Sequence, residues 1–584
     1  MIVKYLCSFL LMIICLLLSC NDKNVKEKIK PDIPIVNEDQ GGNILYNGIV
    51  LPELWPPKRS YSVDLENGME VPYLSKKPDT INISIGRQLF VDDFLIEKTT
   101  MSRRFHYAEY YHSNPILEPN KEWENMGSKG SKFAAPFSDG IWYDEVEGKF
   151  KMWYMAGGGS YSVNNAGVTC YAESTDGINW EKINQSLVAN TNIVDFHTER
   201  DASVVWLDKQ ETDYSKKYKM FLVARNPNDN KWNYRYKTSN DGKLWREVTS
   251  SQPIADRSTV FKNPFREKWI YSIRHNIRVN SEKLVRARDY NENQDPELGT
   301  RKAEALLGSF WFGPWPTEQR HPDYPQVDPA IYNQDAIAYE SIMLGLFNVW
   351  QGPENDIANA SGKPKRNQIM LGYSRDGYHW LRNDMNPFIA LGKSSTSWNS
   401  GNLQSVTGAP IIVGDKLYFY VSGRYINSQG SEITSTGLAI LRRDGFVSMD
   451  AIGEEKTLTT ESFKFNGQNF FVNAKIDGGM QIELLDKDGK IIPGFSRKES
   501  KTFTGDATKN NMKWTSKTDL SELNGKVIRA KFYVTNGSLY AFWLSPSVTG
   551  ESNGYTAGGV RALTQKDLIL NKIGYFRTVE HSIC

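Results

Sequence analysis

One short phrase recurs along the chain at a nearly fixed interval. It reads Ser-x-Asp-Gly-x-x-Trp at residues 174–180, 239–245 and 374–380, and a looser copy, Arg-Asp-Gly-Phe, occupies residues 443–446. The successive Asp residues of these copies, Asp176, Asp241, Asp376 and Asp444, are 65, 135 and 68 residues apart. Because the long gap holds two periods, the spacing predicts five repeated units, one of which has a degenerate copy of the phrase.

The period and the chemistry of the phrase indicate the kind of unit. A period of about 65 residues is long for a helical solenoid unit and suits one four-stranded blade of a β-propeller with long loops. Asp-Gly favours a tight turn between the outer strands of a blade, and the Trp packs between neighbouring blades. We therefore predict an all-β fold with a five-bladed β-propeller over residues 81–450, in which these phrases are structural turns.

The N-terminus has the pattern of a bacterial lipoprotein signal over residues 1–19. Lys4 precedes an apolar stretch from Phe9 to Leu18, and Ser19 precedes Cys20, which becomes the lipidated first residue. The alternative, a transmembrane anchor, is disfavoured because the apolar run is shorter than the roughly 20 residues needed to span a bilayer. We expect residues 20–80 to be a lipidated leash and N-terminal extension, so that the protein is anchored to the cell envelope.

The amino-acid composition limits the classes of molecule that this protein is expected to bind. Aromatic residues make up 12% of the chain, with 16 Trp and 29 Tyr, which suits the stacking of sugar rings. A net charge of +2 with interspersed signs argues against a nucleic-acid partner. Cys7 and Cys15 leave with the signal and Cys20 is lipidated, so that Cys170 and Cys584 remain and neither a disulfide framework nor a Cys metal site is expected. We expect a monomer with no cofactor, apart from a possible structural cation in the propeller channel.

Three Asp residues occupy related positions in the first strands of three blades. The predicted strands are Ala135–Asp144, Asp201–Asp208 and Asp256–Asn263. Asp201 and Asp256 each lie seven residues before the end of their strand, and Asp139 lies five before, which places all three on one strand face. Because first strands line a propeller channel, Asp139, Asp201 and Asp256 are expected to meet at one mouth. Each alone is also explained as a turn or cap residue.

Glu340 is the fourth candidate, within the predicted strand Ala336–Leu346. A carboxyl group facing the channel would have a raised pKa through desolvation and through neighbouring carboxylates, as a general acid requires. The alternative is a structural ion pair with Arg257 or Arg274. The other candidate substrate-binding residues are Arg200, Arg257, Arg274, Asp256, Trp315 and Tyr339.

Two further segments are assigned from composition. Residues 310–329 are too rich in Pro and aromatic residues for a strand, and we expect a rigid loop over one mouth, either stacking on sugars or packing on blade edges. The apolar stretch Arg87–Glu97, with Asp92 and Asp93 at its centre, has the pattern of a strand, and a short strand from outside the repeat is a candidate to close the ring on the last blade.

The repeats, the Arg200-Asp201 pair and the stretch Leu89–Ile96 together resemble the five-bladed propeller glycoside hydrolases, namely the invertase-like group (family 32) and the arabinanase and xylosidase-like group (family 43). The similarity covers roughly residues 85–450. In those families a blade-one acid is base or nucleophile, a blade-two Asp tunes a pKa or holds sugar hydroxyls, and a Glu is the general acid. The resemblance implies these roles for Asp139, Asp201 and Glu340.

After residue 450 the repeat stops. Alternating apolar runs separated by Asp-Gly and Asn-Gly turns predict a β-sandwich over residues 451–584, which either binds carbohydrate or braces the propeller, with bracing preferred. The overall prediction is a cell-envelope lipoprotein that hydrolyses glycosidic bonds. The alternatives are a non-catalytic glycan-binding lipoprotein, a sialidase with three converging Arg, or a polysaccharide lyase with Tyr or His and Arg at the axis.

Overall fold

The computed structural model describes residues 43–59, 67–127, 130–162, 167–197, 199–279, 283–305, 308–361, 365–407, 410–556 and 560–561. The predicted signal, Cys20 and Cys584 lie outside these residues. Among the described residues, Asn43 and Leu51–Pro57 belong to one compact unit and all the others to a second. The second unit carries every residue discussed below. Within the described ranges, no helix is both long and apolar enough to cross a membrane.

The fold is all-β, and residues 125–442 form five groups of antiparallel strands, which we name groups A to E. The strands of groups A to D, in chain order, are Asn125–Met126, Ser131–Asp144, Lys149–Ala156, Val168–Ser174 and Ile193–Phe196 (A); Arg200–Leu207, Tyr218–Arg225, Trp232–Ser239 and Arg246–Ser250 (B); Thr259–Asn263, Lys268–Val279, Lys283–Asn293 and Ser309–Phe312 (C); Ala330–Tyr339, Ile342–Trp350 and Asn367–Ser374 (D).

Group E joins the last repeat to the first. It contains Asn402–Val406, Ile411–Val413, Lys416–Ile426 and Glu432–Arg442, with Glu109–Tyr110 added at its outer edge. Ile433 and Thr434 pair in parallel with Lys132 and Phe133 of group A, so that A and E form one continuous ten-stranded sheet. The strand that adds to the last repeat is therefore Glu109–Tyr110 and not the stretch Arg87–Glu97.

The repeated phrases form turns after the strands Val168–Ser174 of group A, Trp232–Ser239 of group B and Asn367–Ser374 of group D, as predicted. In the first copy, Asp176 Oδ1 accepts hydrogen bonds from the backbone N–H groups of Ile178 and Asn179 at 2.9 and 2.8 Å. The turn Gly has a positive φ in each copy, +73° at Gly177, +74° at Gly242 and +80° at Gly377, a conformation that favours Gly. In group C the corresponding connection holds a helix, Pro296–Lys302, which explains the degenerate copy.

Each turn is also hydrogen-bonded to the neighbouring group. Trp153 of group A donates to the Gly242 carbonyl at 2.6 Å, Trp311 of group C donates to the Tyr378 carbonyl at 2.8 Å, and Tyr420 of group E donates to the Gly177 carbonyl at 2.9 Å. Trp380 is fully buried with its ring 6.4 Å from that of Trp311. The Trp180 ring lies 5.8 Å from that of Tyr420 in group E, so the prediction that the Trp of the phrase packs against a neighbouring group is confirmed for Trp180 and Trp380.

Two sequence assignments in groups C and D were wrong. Phe310, Trp311 and Phe312 were assigned to a loop, but they belong to the fourth strand of group C, where their aromatic side chains favour strand structure. The stretch Ala336–Leu346 was assigned to one strand, but it is the end of one strand, a tight turn at Glu340 and the start of the next.

The strands after residue 446 form one further ten-stranded sheet, together with N-terminal strands that the sequence had assigned to the repeat region. Gln88 and Leu89 pair with Phe542 and Ala541, far along the chain. The strands are Ile81–Asn82, Gln88–Leu89, Ile96–Thr99, Ser102–Phe105, Val447–Ala451, Lys456–Thr460, Phe463–Lys464, Asn469–Asp486, Phe503–Met512 and Ile528–Ser545. Two long strands with register shifts bend around a core that includes Phe90, Phe470, Phe532 and Phe542.

Short elements complete the described chain. The α-helices are Pro72–Ser75, Pro296–Lys302 and Asn355–Ser361, and the 3₁₀ turns are Glu122–Glu124, Gly159–Tyr161, Tyr214–Lys216 and Ser521–Leu523. A two-stranded ladder pairs Tyr555–Thr556 with Val560–Arg561.

Candidate active site

A pocket of about 690 Å³ lies where the first strands of all five groups begin. Its wall contains residues from each group: Phe137 from A, Arg200 and Asp201 from B, Asp256 just before C, Tyr332 from D, and Asn402 and Gln404 from E. The wall also contains Phe133 and Trp232, and the charged residues Glu199, Arg225, Lys365, Arg424 and Glu432. A concave site with aromatic surface and converging polar groups is typical of small-molecule and sugar pockets.

The strand Ser131–Asp144 of group A enters the pocket through a distorted segment. Pairing shifts register between Ala135 and Gly140, and φ is positive at Phe137 (+50°), Ser138 (+81°) and Gly140 (+132°). A side chain at Gly140 would place its Cβ 2.5 Å from the Val205 carbonyl oxygen, so that position requires Gly. Strain of this kind persists where surrounding contacts hold it, commonly at functional sites. Here it exposes the Phe137 ring to the pocket.

Asp139 lies beneath the pocket wall and not on it. Its side chain is fully buried, and its Oδ1 accepts a hydrogen bond from Arg200 Nη2 at 2.6 Å. Burial raises the pKa of Asp139 to about 6, although the Arg200 guanidinium favours its charged form. Arg200 also donates to Thr169 Oγ1 at 2.7 Å. The structure therefore brings Asp139 to the pocket only through Arg200, a residue of the pocket wall.

Asp201 and Asp256 both line the pocket, as predicted from their matched positions. Asp201 Oδ1 accepts hydrogen bonds from the backbone N–H groups of Ala202 at 2.7 Å and Arg257 at 2.9 Å. Burial raises the pKa of Asp201, the Arg257 guanidinium opposes this, and the nearby charge of Asp256 raises it further. Asp256 is paired with Arg274, with Nε and Oδ1 2.6 Å apart, and its side chain is 36% exposed.

Arg257 and Arg274 support these two carboxylates. The Arg257 guanidinium lies 3.8 Å from the centre of the Phe137 ring, and its Nη1 is 3.6 Å from Asp201 Oδ1. Its backbone φ is +55°, which turns the residue back towards Asp201. Arg274 Nη1 donates to Asn276 Oδ1 at 3.0 Å, so that its planar group is fixed between Asn276 and Asp256. Arg257 and Arg274 thus each pair with a carboxylate of the pocket wall, but neither arginine lines the pocket itself.

Two residues of group D were missed by the sequence analysis. Tyr332 lines the pocket and its ring is 5.1 Å from the Arg257 guanidinium. Asp335 is buried nearby, and its Oδ2 accepts hydrogen bonds from Ser138 Oγ at 3.1 Å and Asn333 Nδ2 at 2.6 Å. Burial raises the pKa of Asp335 to about 7. The usable signal was the polar run Tyr332-Asn-Gln-Asp335, which lies between the Pro-rich segment 310–329 and the predicted strand from Ala336 and was assigned to neither.

Glu340 does not reach the pocket, which corrects its predicted role as general acid. It occupies the turn at the far end of the strand that starts near Tyr332, and eight residues of extended chain correspond to about 26 Å. Its Oε2 accepts hydrogen bonds from Arg87 N at 3.1 Å and Ser552 Oγ at 2.7 Å, and its Oε1 lies 3.3 Å from Arg443 Nη2. Burial raises the pKa of Glu340, but the groups around its carboxylate belong to the packed protein and not to the pocket wall.

Tyr339 and Trp315 also lie away from the pocket wall. The Tyr339 hydroxyl donates to Asp444 Oδ1 at 2.6 Å, at the same end of the strand as Glu340. Trp315 is 9% exposed and packs against the Arg382 guanidinium at 4.6 Å and the Phe347 ring at 5.9 Å. The Tyr339 and Trp315 side chains therefore pack against other groups of the protein and do not line the pocket. In the described ranges, no three His, Cys, Asp or Glu residues form a metal-binding group.

Comparison with known proteins gives structural likenesses only. No protein-family model matches the chain, and no curated protein is detectably similar in sequence. A β-1,2-mannobiose phosphorylase from Listeria innocua matches with a TM-score of 0.38 and 13% identity, over 59% of this chain and 97% of its own. A glycosyl hydrolase from Bacteroides ovatus matches with a TM-score of 0.37 and 14% identity, over 61% of this chain and 97% of its own. At TM-scores below 0.5, these likenesses do not show a shared function.

Proposed function

We propose that this protein is a glycan-processing enzyme, and specifically a glycoside hydrolase. Its active site is the pocket to which all five groups, A to E, contribute residues. The observation that carries the proposal is the pair Asp201 and Asp256 in one pocket wall with contrasting surroundings. Burial raises the pKa of Asp201, whose side chain is 19% exposed, whereas the Asp256 side chain is 36% exposed and paired with Arg274. Two carboxyl groups in different environments are what glycosidic hydrolysis requires.

In this proposal Asp201 is the general acid and Asp256 the base. Burial raises the pKa of Asp201, and its carboxyl group donates a proton to the glycosidic oxygen as the bond to the sugar breaks. Asp256 takes a proton from the attacking water, and Arg274 orients its carboxylate. Asp139, implied by the resemblance as base or nucleophile, becomes a positioning residue that acts through Arg200. Phe137, Trp232 and Tyr332 provide aromatic surface for sugar rings.

We also propose that groups A to E are the blades of a five-bladed propeller related to families 32 and 43. Support comes from hydrogen bonds that link each group to the next and the last to the first. Trp142 donates to the Val205 carbonyl (A to B, 2.6 Å), and Arg257 N donates to Asp201 (B to C, 2.9 Å). Thr259 donates to the Gln334 carbonyl (C to D), Asn348 donates to the Leu403 carbonyl (D to E, 2.6 Å), and Phe137 N donates to Ser422 (E to A, 3.0 Å).

One observation favours a second candidate, a polysaccharide lyase. The Tyr332 side chain faces the pocket beside the Arg257 guanidinium, and its hydroxyl makes no hydrogen bond within the described part of the chain. A lyase uses such a phenol to move the proton at the carbon next to a uronate carboxyl group. A lyase product contains a new carbon–carbon double bond that absorbs ultraviolet light, whereas a hydrolase product does not.

The predicted anchoring at Cys20 and the cell-envelope location remain part of the proposal.

The experiment is a screen of the purified protein against plant, algal and host polysaccharides, with products separated by chromatography. We expect at least one glycan to be shortened by the wild type and not by the Asp256→Asn variant, with no double bond in the product. Asp256→Asn keeps the volume and most contacts of the side chain, and its thermal unfolding serves as the folding control. A pocket that binds glycans but leaves every one of them intact would make the protein a binding lipoprotein instead.

A further inference from the structure

Among the described residues, four carboxylates and four cations line the pocket, but their ion pairs leave one of these cations without a partner. Each carboxylate in the wall already has an arginine partner. Glu199 lies 3.5 Å from Arg225, Asp201 lies 3.6 Å from Arg257, Asp256 lies 2.6 Å from Arg274 and Glu432 lies 3.0 Å from Arg424. Arg200 is paired with Asp139 at 2.6 Å. Among the described residues, Lys365 is the lining cation that remains without an ion pair.

Lys365 is also crowded by other cations. Its pKa is lowered by burial and then by the charges of Arg286 and Arg424, while Glu354 and Glu432 oppose this more weakly. Arg286 likewise has no ion pair in the described ranges, and its guanidinium is held 5.1 Å from the Trp350 ring and 5.9 Å from the Tyr332 ring. Arg424 lies 5.7 Å from the Phe133 ring. Aromatic contacts thus hold two guanidinium groups near an ammonium that repels both.

We propose that Lys365, Arg424 and Arg286 form a subsite for an anionic substituent of the glycan, a carboxylate of a uronic acid or a sulfate ester. The inference rests on the proposed function, because it specifies the substrate class for the same pocket. Half-buried cations that repel one another are stabilised by a bound anion, and Arg and Lys are the side chains that recognise carboxylate and sulfate oxygens. A neutral sugar would leave Lys365 and Arg286 without a counter-ion.

The position of the subsite fits this substrate. Asp201 and Asp256 belong to groups B and C, whereas Lys365 precedes the third strand of group D and Arg424 belongs to group E. Tyr332 contacts both sets, since its ring lies 5.1 Å from the guanidinium of Arg257, the partner of Asp201, and 5.9 Å from the guanidinium of Arg286. A glycan bound across the pocket therefore presents one sugar to the carboxyl pair and an anionic group to the cationic wall.

The test is calorimetric binding of matched probes in an Asp201→Asn background, which prevents turnover. The probes are tetragalacturonate and its methyl ester, and a sulfated galactan tetrasaccharide and its desulfated form. We expect the charged member of at least one pair to bind at least about tenfold more tightly than its neutral partner. Lys365→Ala should remove this difference, Lys365→Arg should keep most of it, and Lys231→Ala, an exposed lysine outside the pocket wall, should leave it unchanged.

Several outcomes would overturn the subsite. They are an equal effect of Lys365→Ala on charged and neutral probes, the absence of binding by both charged probes, and binding of inorganic phosphate or sulfate as tight as that of the charged sugars and equally dependent on Lys365. If neutral glycans are cleaved and Lys365→Ala has no effect, the subsite is wrong while the proposed hydrolase stands. If charged probes bind through Lys365 but no glycan is cleaved, the subsite stands while the proposed hydrolase is wrong.

Discussion

Single carboxyl groups in this protein take their roles from burial and from the cation that each one meets. Asp201 and Asp256 were found from the sequence because both lie seven residues before the end of a predicted strand, and that phase brought both to the pocket. Asp139 shares the phase but sits on a distorted strand that turns it under Arg200. Asp335 was missed, because its strand starts six residues earlier than the apolar pattern indicated.

Asp335 leads to a prediction about pH and stability. Its folded pKa of about 7 is above the ordinary value of about 3.9, so the folded state binds the proton more tightly. Stability should therefore fall as pH rises from about 4 to about 7, by up to about 4 kcal/mol from this residue. Asp335→Asn mimics the protonated form and should remove most of that fall. Denaturant unfolding at pH 5 and pH 8 measures it, and an unchanged slope with pH would contradict the raised pKa.

At the scale of elements, the same turn phrase is built into different surroundings. Asp376 is buried, and its Oδ1 accepts from the N–H groups of Tyr378 at 2.9 Å and His379 at 2.8 Å, while its Oδ2 contacts the His379 ring nitrogen at 2.7 Å. Asp176 makes equivalent backbone bonds but is only partly buried, so that water replaces a lost acceptor there. The sequence predicted the turns from Asp-Gly, but it could not show this difference in burial.

We expect Asp376→Ala to lower the free energy of unfolding by about 3 kcal/mol, because it leaves several buried donors without an acceptor. Asp176→Ala, the matched control in the first copy, should cost about 1 kcal/mol. Equilibrium denaturation of both variants provides the comparison. Equal losses would mean that the burial of the turn does not set its contribution.

Glu340 shows why a charged residue in an apolar run is ambiguous. The sequence gives a carboxyl group among apolar residues, which fits an active site and a buried ion pair equally well. The structure places it in a turn with φ +52°, between Arg87, Arg443 and Ser552. This turn connects group D to segments near both ends of the described chain, and such long-range pairing leaves no local pattern.

Glu340→Gln is accordingly expected to affect stability and not turnover. Removing one charge from a buried network with two arginines should cost about 3 kcal/mol of unfolding free energy. Assayed well below its unfolding temperature, the variant should keep the wild-type kcat. A large loss of kcat in a fully folded Glu340→Gln sample would return Glu340 to the reaction.

At the scale of the whole molecule, the period of the repeat predicted the number of strand groups. It could not predict which distant segments pair with one another. The pairing of Gln88 with Phe542 and of Tyr110 with Ala439 joins residues more than 300 positions apart. Neither pairing follows from local alternation, so the N-terminal strands were assigned to the wrong part of the chain. The sequence predicted that the first strands meet at one mouth, where the pocket lies. It did not predict the aromatic and cationic residues that groups D and E contribute to the pocket.

Anchoring is a property of the whole protein that the sequence alone predicts. Cys20→Ala removes the residue that would be lipidated after Leu17-Leu18-Ser19, so this variant should appear in the soluble fraction or accumulate with its signal uncleaved. Fractionation of bacterial cells that express the full chain measures it. Membrane association identical to the wild type would contradict the lipoprotein prediction.

The most direct test of the central claim is the effect of Asp201→Asn on two substrates of the same sugar. One is the glycan cleaved in the screen, whose leaving group needs a proton, and the other is an activated aryl glycoside, which needs little protonation. If Asp201 is the general acid, kcat should fall by roughly 10²–10⁴ on the natural glycan and by much less on the aryl glycoside. Equal losses on both substrates, or full activity on the natural glycan, would contradict the account.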